Sequence, residues 1–306
     1  MSMEIIPFDA AEPLLDWQDL CDALLAGHAM ARAEMADTFL YRGQDTLLSR
    51  AAWIDGLGQL VKTATIFPGN LARGLATING AVNLYGDSDG MLEAILDFHL
   101  VTKWKTAGDS LLAARLLARP ESRCILIVGA GTVARSLREA YGSAFPEARF
   151  MIWNRTPEKA EELAAAYPNT LVASDLETMV RLADIVTCAT MSRTPVIRGE
   201  WLQPGQHVDL IGAYRADMRE ADDEALRRAR IFVDSRLSVL EHIGELAEPI
   251  TRGVLTKDDV VADFYDIASG SFARQSPDEI TLFKNGGGAH LDLMTSRYIL
   301  DAWRAR

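Results

Sequence analysis

Cysteine is scarce: Cys21, Cys124 and Cys188 are the three in 306 residues. They share no metal-ligand spacing, and Cys124 and Cys188 fall in apolar runs that read as buried strands, so neither a disulfide framework nor a metal site is expected. Reduced thiols in a cytoplasmic protein are the expectation. No stretch approaches the apolar length of a membrane span, and the opening residues Met-Ser-Met-Glu-Ile-Ile-Pro have neither the basic region nor the apolar run of a signal peptide. Positive charge is also short, with 31 Lys and Arg against 43 Asp and Glu for a net charge of −12. That balance argues against nucleic acid or an anionic membrane as a partner. An acidic chain that holds an anionic ligand must do so through a few local cations, so Lys and Arg in apolar or glycine-rich settings become the residues to follow. Internal repeats and low-complexity segments are absent, and the sequon at Asn154-Arg155-Thr156 is a chance match in a cytoplasmic setting.

What is present is an ordinary globular composition, 49% hydrophobic and 24% charged, in a chain long enough for two medium cores. The organising stretch is 123–134, Arg-Cys-Ile-Leu-Ile-Val-Gly-Ala-Gly-Thr-Val-Ala. Residues 124–128 form an unbroken apolar run, the pattern of a strand buried on both faces of a parallel sheet. Gly129-Ala130-Gly131 follows, and from Thr132 the pattern turns helical, with Val133, Leu137 and Tyr141 on one face. A G-x-G-x-x-A pattern between strand and helix fits a dinucleotide pyrophosphate: Gly129 for the tight turn, Gly131 for close backbone approach, Ala134 for helix–strand packing. An ordinary βα turn is the alternative.

Residues 1–120 read as a first unit of mixed α and β. A helix is expected over 16–34, a polar turn at 42–45, and strands at 46–53, 59–67, 76–85 and 91–98, separated by Gly, Pro, Asn and Asp. Short turns between successive strands predict an antiparallel sheet, and a helix follows over 100–119. Residues 121–285 alternate strand and helix, with strands at 124–128, 149–153, 170–173, 185–189, 208–211, 231–233 and 280–283. That alternation predicts a parallel, doubly wound sheet of Rossmann type. A last helix over about 290–303 is expected to return, within 286–306, to the first unit. The fold class is thus α/β, a Rossmann sheet plus a second α/β domain.

The second parallel strand ends at Asn154-Arg155-Thr156, where a unit that prefers NAD carries an Asp or Glu for the ribose 2′-hydroxyl. Arg155 can instead pair with a 2′-phosphate, with Asn154 and Thr156 donating to it, so NADP(H) is favoured over NAD(H). The alternative has Arg155 covering the adenine or capping the next helix. Thr190, after the fourth strand, and Thr106 complete the candidate cofactor contacts, with Gly129, Ala130, Gly131, Thr132 and Val133 at the pyrophosphate. Lys62 stands in an apolar strand, where burying an ammonium costs several kcal/mol unless it is paired. It either snorkels from an edge or is held inward to bind a carboxylate or protonate something. Lys103 and Lys105 open a helix, where cations are mildly unfavourable and need compensation.

The chain resembles the ornithine cyclodeaminase/mu-crystallin family over nearly its whole length, through residues 61–70, 74–80, 102–107, 129–134, 211–220 and 280–288. The resemblance implies a substrate-binding, dimer-forming α/β domain, built from the N-terminal part and the last helix, with a Rossmann domain between. It implies that Arg42, Lys62 and Lys105 hold the carboxylate of a small imino or amino acid, with Lys62 beside the reacting carbon and first candidate to protonate the imine nitrogen. Lys105 replaces the family's usual Arg and loses its bidentate fork. True cyclodeaminases carry an Asp at the position of Tyr214, and Asp217 matches a different position. The reading is therefore an NADPH-dependent reductase of a cyclic imino acid, Δ1-pyrroline-2-carboxylate to L-proline, in a homodimer. The alternatives are an ornithine cyclodeaminase, which would release ammonia without net NADPH use, an alanine or N-alkyl-amino-acid dehydrogenase, and an NADPH-dependent small-molecule binder that would have lost its carboxylate-binding cations.

Overall fold

A computed structural model describes residues 3–306 of the chain. The chain divides into two compact units, Met1–Lys105 with Gly287–Arg306, and Thr106–Gly286. The first division thus falls inside the helix Phe98–Leu117 rather than at 120, because a continuous helix carries no change of composition to mark it.

The first unit is built on a six-stranded sheet of β1 (Glu4–Ile6), β2 (Glu34–Arg42), β3 (Asp45–Ile54), β4 (Gly58–Ile66), β5 (Ile78–Tyr85) and β6 (Leu92–Asp97), in the order β1-β6-β5-β4-β3-β2. From β2 to β6 neighbours are antiparallel, as short turns require; β1 joins β6 in parallel. The helices Trp17–His28 and Ala289–Arg304 pack together, and the latter lies on β3 and β4. Asp16 starts the first of these, its carboxylate accepting from the Gln18 and Asp19 amides at 2.7 and 3.2 Å. The helix expected to reach residue 34 stops at His28. Residues 34–42 become β2 instead, pairing with β3 along their whole length from Glu34 opposite Trp53 to Arg42 opposite Asp45. Ladder pairing outweighs the helical preference of Glu34, Met35 and Ala36. β1, three residues long, is too short to show a period.

The second unit is an eight-stranded, all-parallel sheet of β7 (Cys124–Val128), β8 (Arg149–Trp153), β9 (Thr170–Val172), β10 (Ile185–Cys188), β11 (His207–Leu210), β12 (Ala229–Val233), β13 (Val260–Asp263) and β14 (Ile280–Lys284). Its order is β13-β12-β14-β11-β10-β7-β8-β9. β13 is the strand the sequence reading lacked. The chain leaves β7 toward β8 and β9, then returns to β10 on β7's other side, so strand order reverses between β7 and β10. The carboxyl ends of those two strands flank the crevice in which such sheets hold a ligand. Val128, Val186, Val208, Leu210 and Val233 are among the fully buried side chains of the core beneath it.

Candidate active site

In the first unit, burial along β4 alternates, and Lys62 shares the inward face with Leu60 and Ala64. β4 lies between β3 and β5, so the lysine does not snorkel from an edge. It is held inward, 5% exposed, with Nζ donating to Asp292 Oδ1 and Thr102 Oγ1, each at 2.8 Å, and lying 4.7 Å from the centre of the Phe98 ring. Burial pulls the ammonium down, Asp292 pulls it back up, and Lys105 and Arg50 lower it again, leaving its pKa at about 8. Burial pushes the Asp292 carboxyl up, but Lys62, Lys105 and Arg50 together outweigh it and hold the group below the usual carboxylate range.

Arg50 stands directly opposite Lys62 on β3. Its guanidinium lies 3.6 Å from Asp292 Oδ2, donates to the Gly287 carbonyl at 2.9 Å, and forms a fork with Asp37 at 3.2 and 2.7 Å. Lys105 is 7% exposed and donates to the same Gly287 carbonyl at 3.1 Å. Three cations, Lys62, Arg50 and Lys105, therefore meet two carboxylates, Asp292 and Asp37, and the cluster carries a surplus positive charge suited to a carboxylate ligand.

Arg42 is not part of it. At the end of β2 its side chain is 80% exposed, pairs with Asp45 across the hairpin at 2.9 Å and lies over the Phe67 ring. The cation that shares Lys62's counter-ion is Arg50. Its signal was present in the sequence, a charge in the apolar strand 46–53, the same argument that singled out Lys62. Asp292 had no such signal, since one carboxylate in an amphipathic helix is ordinary.

In the second unit, Gly129 takes φ +117°, and a Cβ there would stand 2.8 Å from the Ala189 carbonyl oxygen, so no other residue fits the turn. Its amide donates to the Trp153 carbonyl at 2.8 Å, tying β7 to the end of β8. Gly131 begins the helix Thr132–Ala144 with no side-chain cap, and a Cβ built on it would meet nothing within 4 Å. Gly131 and Thr132 are exposed, Ala130 and Val133 half-buried, and Ala134 is buried against the sheet. An open helix N-terminus with uncapped amides fits a dinucleotide pyrophosphate. After β8, Asn154 Nδ2 donates to the Thr156 carbonyl at 2.9 Å, and Arg155 and Thr156 are exposed.

Thr190 is held rather than free. Its amide and Oγ1 donate to Glu220 Oε1 at 2.7 and 2.8 Å, and Glu220 Oε2 accepts from the Gly212 and Ala213 amides at 2.6 and 3.2 Å. Glu220, fully buried and given no role by the sequence, thereby joins the segments that follow β10 and β11. Thr106 is half-buried, its carbonyl accepting from Asn285 Nδ2 at 3.1 Å. Tyr214 is 57% exposed, and Asp217 is engaged with Arg215 at 2.9 Å and Arg193 at 3.2 Å.

Residues 55–306 match the profile of the ornithine cyclodeaminase/mu-crystallin family. Over 302 residues the chain is 51% identical to the Delta(1)-pyrroline-2-carboxylate reductase of Paracoccus denitrificans, covering 97% of this chain and 96% of that one. The chain belongs to this family. Among solved structures it is similar to an archaeal alanine dehydrogenase dimer with bound NAD, at a TM-score of 0.91 and 26% identity over 100% of this chain and 97% of that one. The Thermococcus litoralis Delta(1)-pyrroline-2-carboxylate reductase, solved with NADH and L-proline, shares the fold at a TM-score of 0.90, with 23% identity over 98% and 97% of the two chains. Among the described residues, no helix is long and apolar enough to cross a membrane.

Proposed function

We propose that this protein is an NADPH-dependent reductase of a cyclic imino acid, converting Δ1-pyrroline-2-carboxylate to L-proline. The observation that carries the reading is the inward ammonium of Lys62, buried beside Arg50 and Lys105 in a cluster with a surplus positive charge. The 51% identity to a reductase of that name, over 97% of the chain, supports the same substrate class. The cations pair with the substrate carboxylate and fix the C=N group, mainly a positioning effect. Lys62, with a pKa of about 8, is charged near neutral pH and gives a proton to the imine nitrogen. The nicotinamide cofactor, when bound, supplies the hydride. Gly129, Ala130, Gly131, Thr132 and Val133 hold its pyrophosphate, Asn154, Arg155 and Thr156 its 2′-phosphate, and Thr190 and Thr106 complete its contacts.

A second copy of the chain is the partner we assign to the outer part of the first sheet, where Phe39, Leu40 and Tyr41 on β2 are 47%, 60% and 73% exposed. The first test is NADPH oxidation, followed by absorbance, with Δ1-pyrroline-2-carboxylate, its six-membered homologue, and pyruvate plus methylamine as separate substrates. Rapid oxidation with a cyclic ketimine is expected. Silence on all three with tight NADPH binding overturns the reading. In Arg155→Asp the preference for NADPH over NADH weakens, and an unchanged preference removes Arg155 from the phosphate site.

A further inference from the structure

Burial works against the role that the proposed reaction gives Lys62, because an isolated ammonium on the inner face of a sheet loses its proton more readily than one in water. Something must keep that proton in place until it is needed. Strand β5 supplies nothing, since the residue opposite Lys62 there is Val82. Across β3, Arg50 adds a like charge. The helix Phe98–Leu117 brings the Phe98 ring, the Thr102 hydroxyl and a second like charge, Lys105. On the last helix His290 is buried and held neutral, its pKa pulled down to about 3 by burial and then by Lys105. Asp292 is the one carboxylate that acts on Lys62 from these elements.

We infer that Asp292 is the positioning residue of the reaction, keeping Lys62 charged and aiming its remaining proton. The inference rests on Lys62 as the proton donor. An ammonium has three N–H bonds. Two are fixed at 2.8 Å, one on Asp292 Oδ1 and one on Thr102 Oγ1. Thr102 accepts because its own hydroxyl proton goes to the Phe98 carbonyl at 2.7 Å. Asp292 is immobilised in turn: it sits fully buried on a helix, with its second oxygen 3.6 Å from Arg50, whose guanidinium is anchored on Asp37 and the Gly287 carbonyl. With two donors tethered, the direction of the third N–H is set. In the step itself that N–H bond breaks, a new one forms on the imine nitrogen, and Lys62 is left as a neutral amine beside an unchanged carboxylate. Solvent then returns the proton.

The test is the pH dependence of kcat for Asp292→Asn, which keeps shape and an acceptor oxygen but removes the charge. The alkaline limb of the profile is expected to move down by about one to three pH units, the range for loss of an adjacent opposite charge. At pH 8 the variant then loses about fivefold or more, and the loss shrinks as the pH falls below the displaced limb. Asp292→Glu keeps the charge but displaces it, so its limb stays in place while kcat falls severalfold. Dinucleotide binding by fluorescence titration reports that each variant is folded, and if the Asn variant does not fold, the Glu variant decides. A wild-type limb in Asp292→Asn, or a limb displaced in Asp292→Glu, overturns the inference. Lys62→Ala separates this from the reading beneath it: an inactive Lys62→Ala beside an unshifted Asp292→Asn leaves the donor and removes its positioning residue. An active Lys62→Ala with a wild-type profile removes the donor itself.

Discussion

Both units bury charge, but they use it differently. In the first, Lys62, Arg50 and Lys105 outnumber Asp292 and Asp37, and one proton of Lys62 is left over. In the second, the buried carboxylates of Asp209, Glu220 and Glu245 are each met by several of the chain's own donors. Asp209 accepts from Thr187, Ser110 and Tyr141 at 2.6, 3.0 and 3.2 Å, Glu220 from four donors, and Glu245 from the Glu220 and Ala221 amides at 2.7 and 3.0 Å. Lys284 donates to the Leu210 carbonyl and to that of Asn285. Burial shifts titration in both units, to about 8 at Lys62, about 6 at Asp209 and about 7 at Glu245. A perturbed buried group therefore does not by itself mark a site.

Substitutions can break that distinction. The largest effect is expected for Lys62→Ala, with kcat down by about a hundredfold or more and dinucleotide binding nearly unchanged. Steady-state kinetics beside a binding titration read both. Glu220→Gln is its counterpart: it leaves one amide group facing donors, and we expect a loss of about 1 to 3 kcal/mol of stability in urea unfolding. A fully stable Glu220→Gln would mean that this charge is dispensable to the fold.

A smaller effect concerns acid. Burial, and then Arg274, holds His207 neutral with a pKa of about 3, against about 6.5 for an unfolded histidine. Its contribution is present above about pH 6.5 and is lost as pH falls toward 3, at up to about 1.4 kcal/mol per pH unit. Asp209 and Glu245, raised instead, act in the opposite sense: their contribution is present below about pH 4 and is lost as pH rises through about 6 and 7. His207→Gln leaves those two in place, so the difference between variant and wild-type unfolding free energy from pH 6.5 to 4 isolates the histidine. An unchanged slope would show that His207 is already charged in the folded protein. The smallest effect is expected for Arg42→Ala, within about twofold in kcat/KM, as for an exposed ion pair. A large loss would bring Arg42 to the site through a second copy of the chain.

What was legible in the sequence follows from how local each feature is. Strands β7 and β8 fall where the apolar runs put them, because a strand buried on both faces needs no partner to look buried. The glycine turn was readable for the same reason, as its strand, turn and helix are contiguous. In the first unit β2 was lost to helical propensity, since only its register with β3 makes it a strand. The pairing that puts Arg50 opposite Lys62 and the helix that brings Asp292 beneath it are non-local. A charge in an apolar strand can be seen from sequence; the carboxylate that answers it, 230 residues away, cannot.

That separation has a consequence in time. During synthesis Lys62 emerges roughly 10 to 45 s before Asp292, at translation rates of about 5 to 20 residues per second. All of Thr106–Gly286 is made in that interval. A sheet closed around Lys62 at that stage would bury an ammonium with no carboxylate in reach, so the first unit to begin is the last to finish. The nascent chain is thus expected to complete its parallel sheet first and to close its other core only on the final helix.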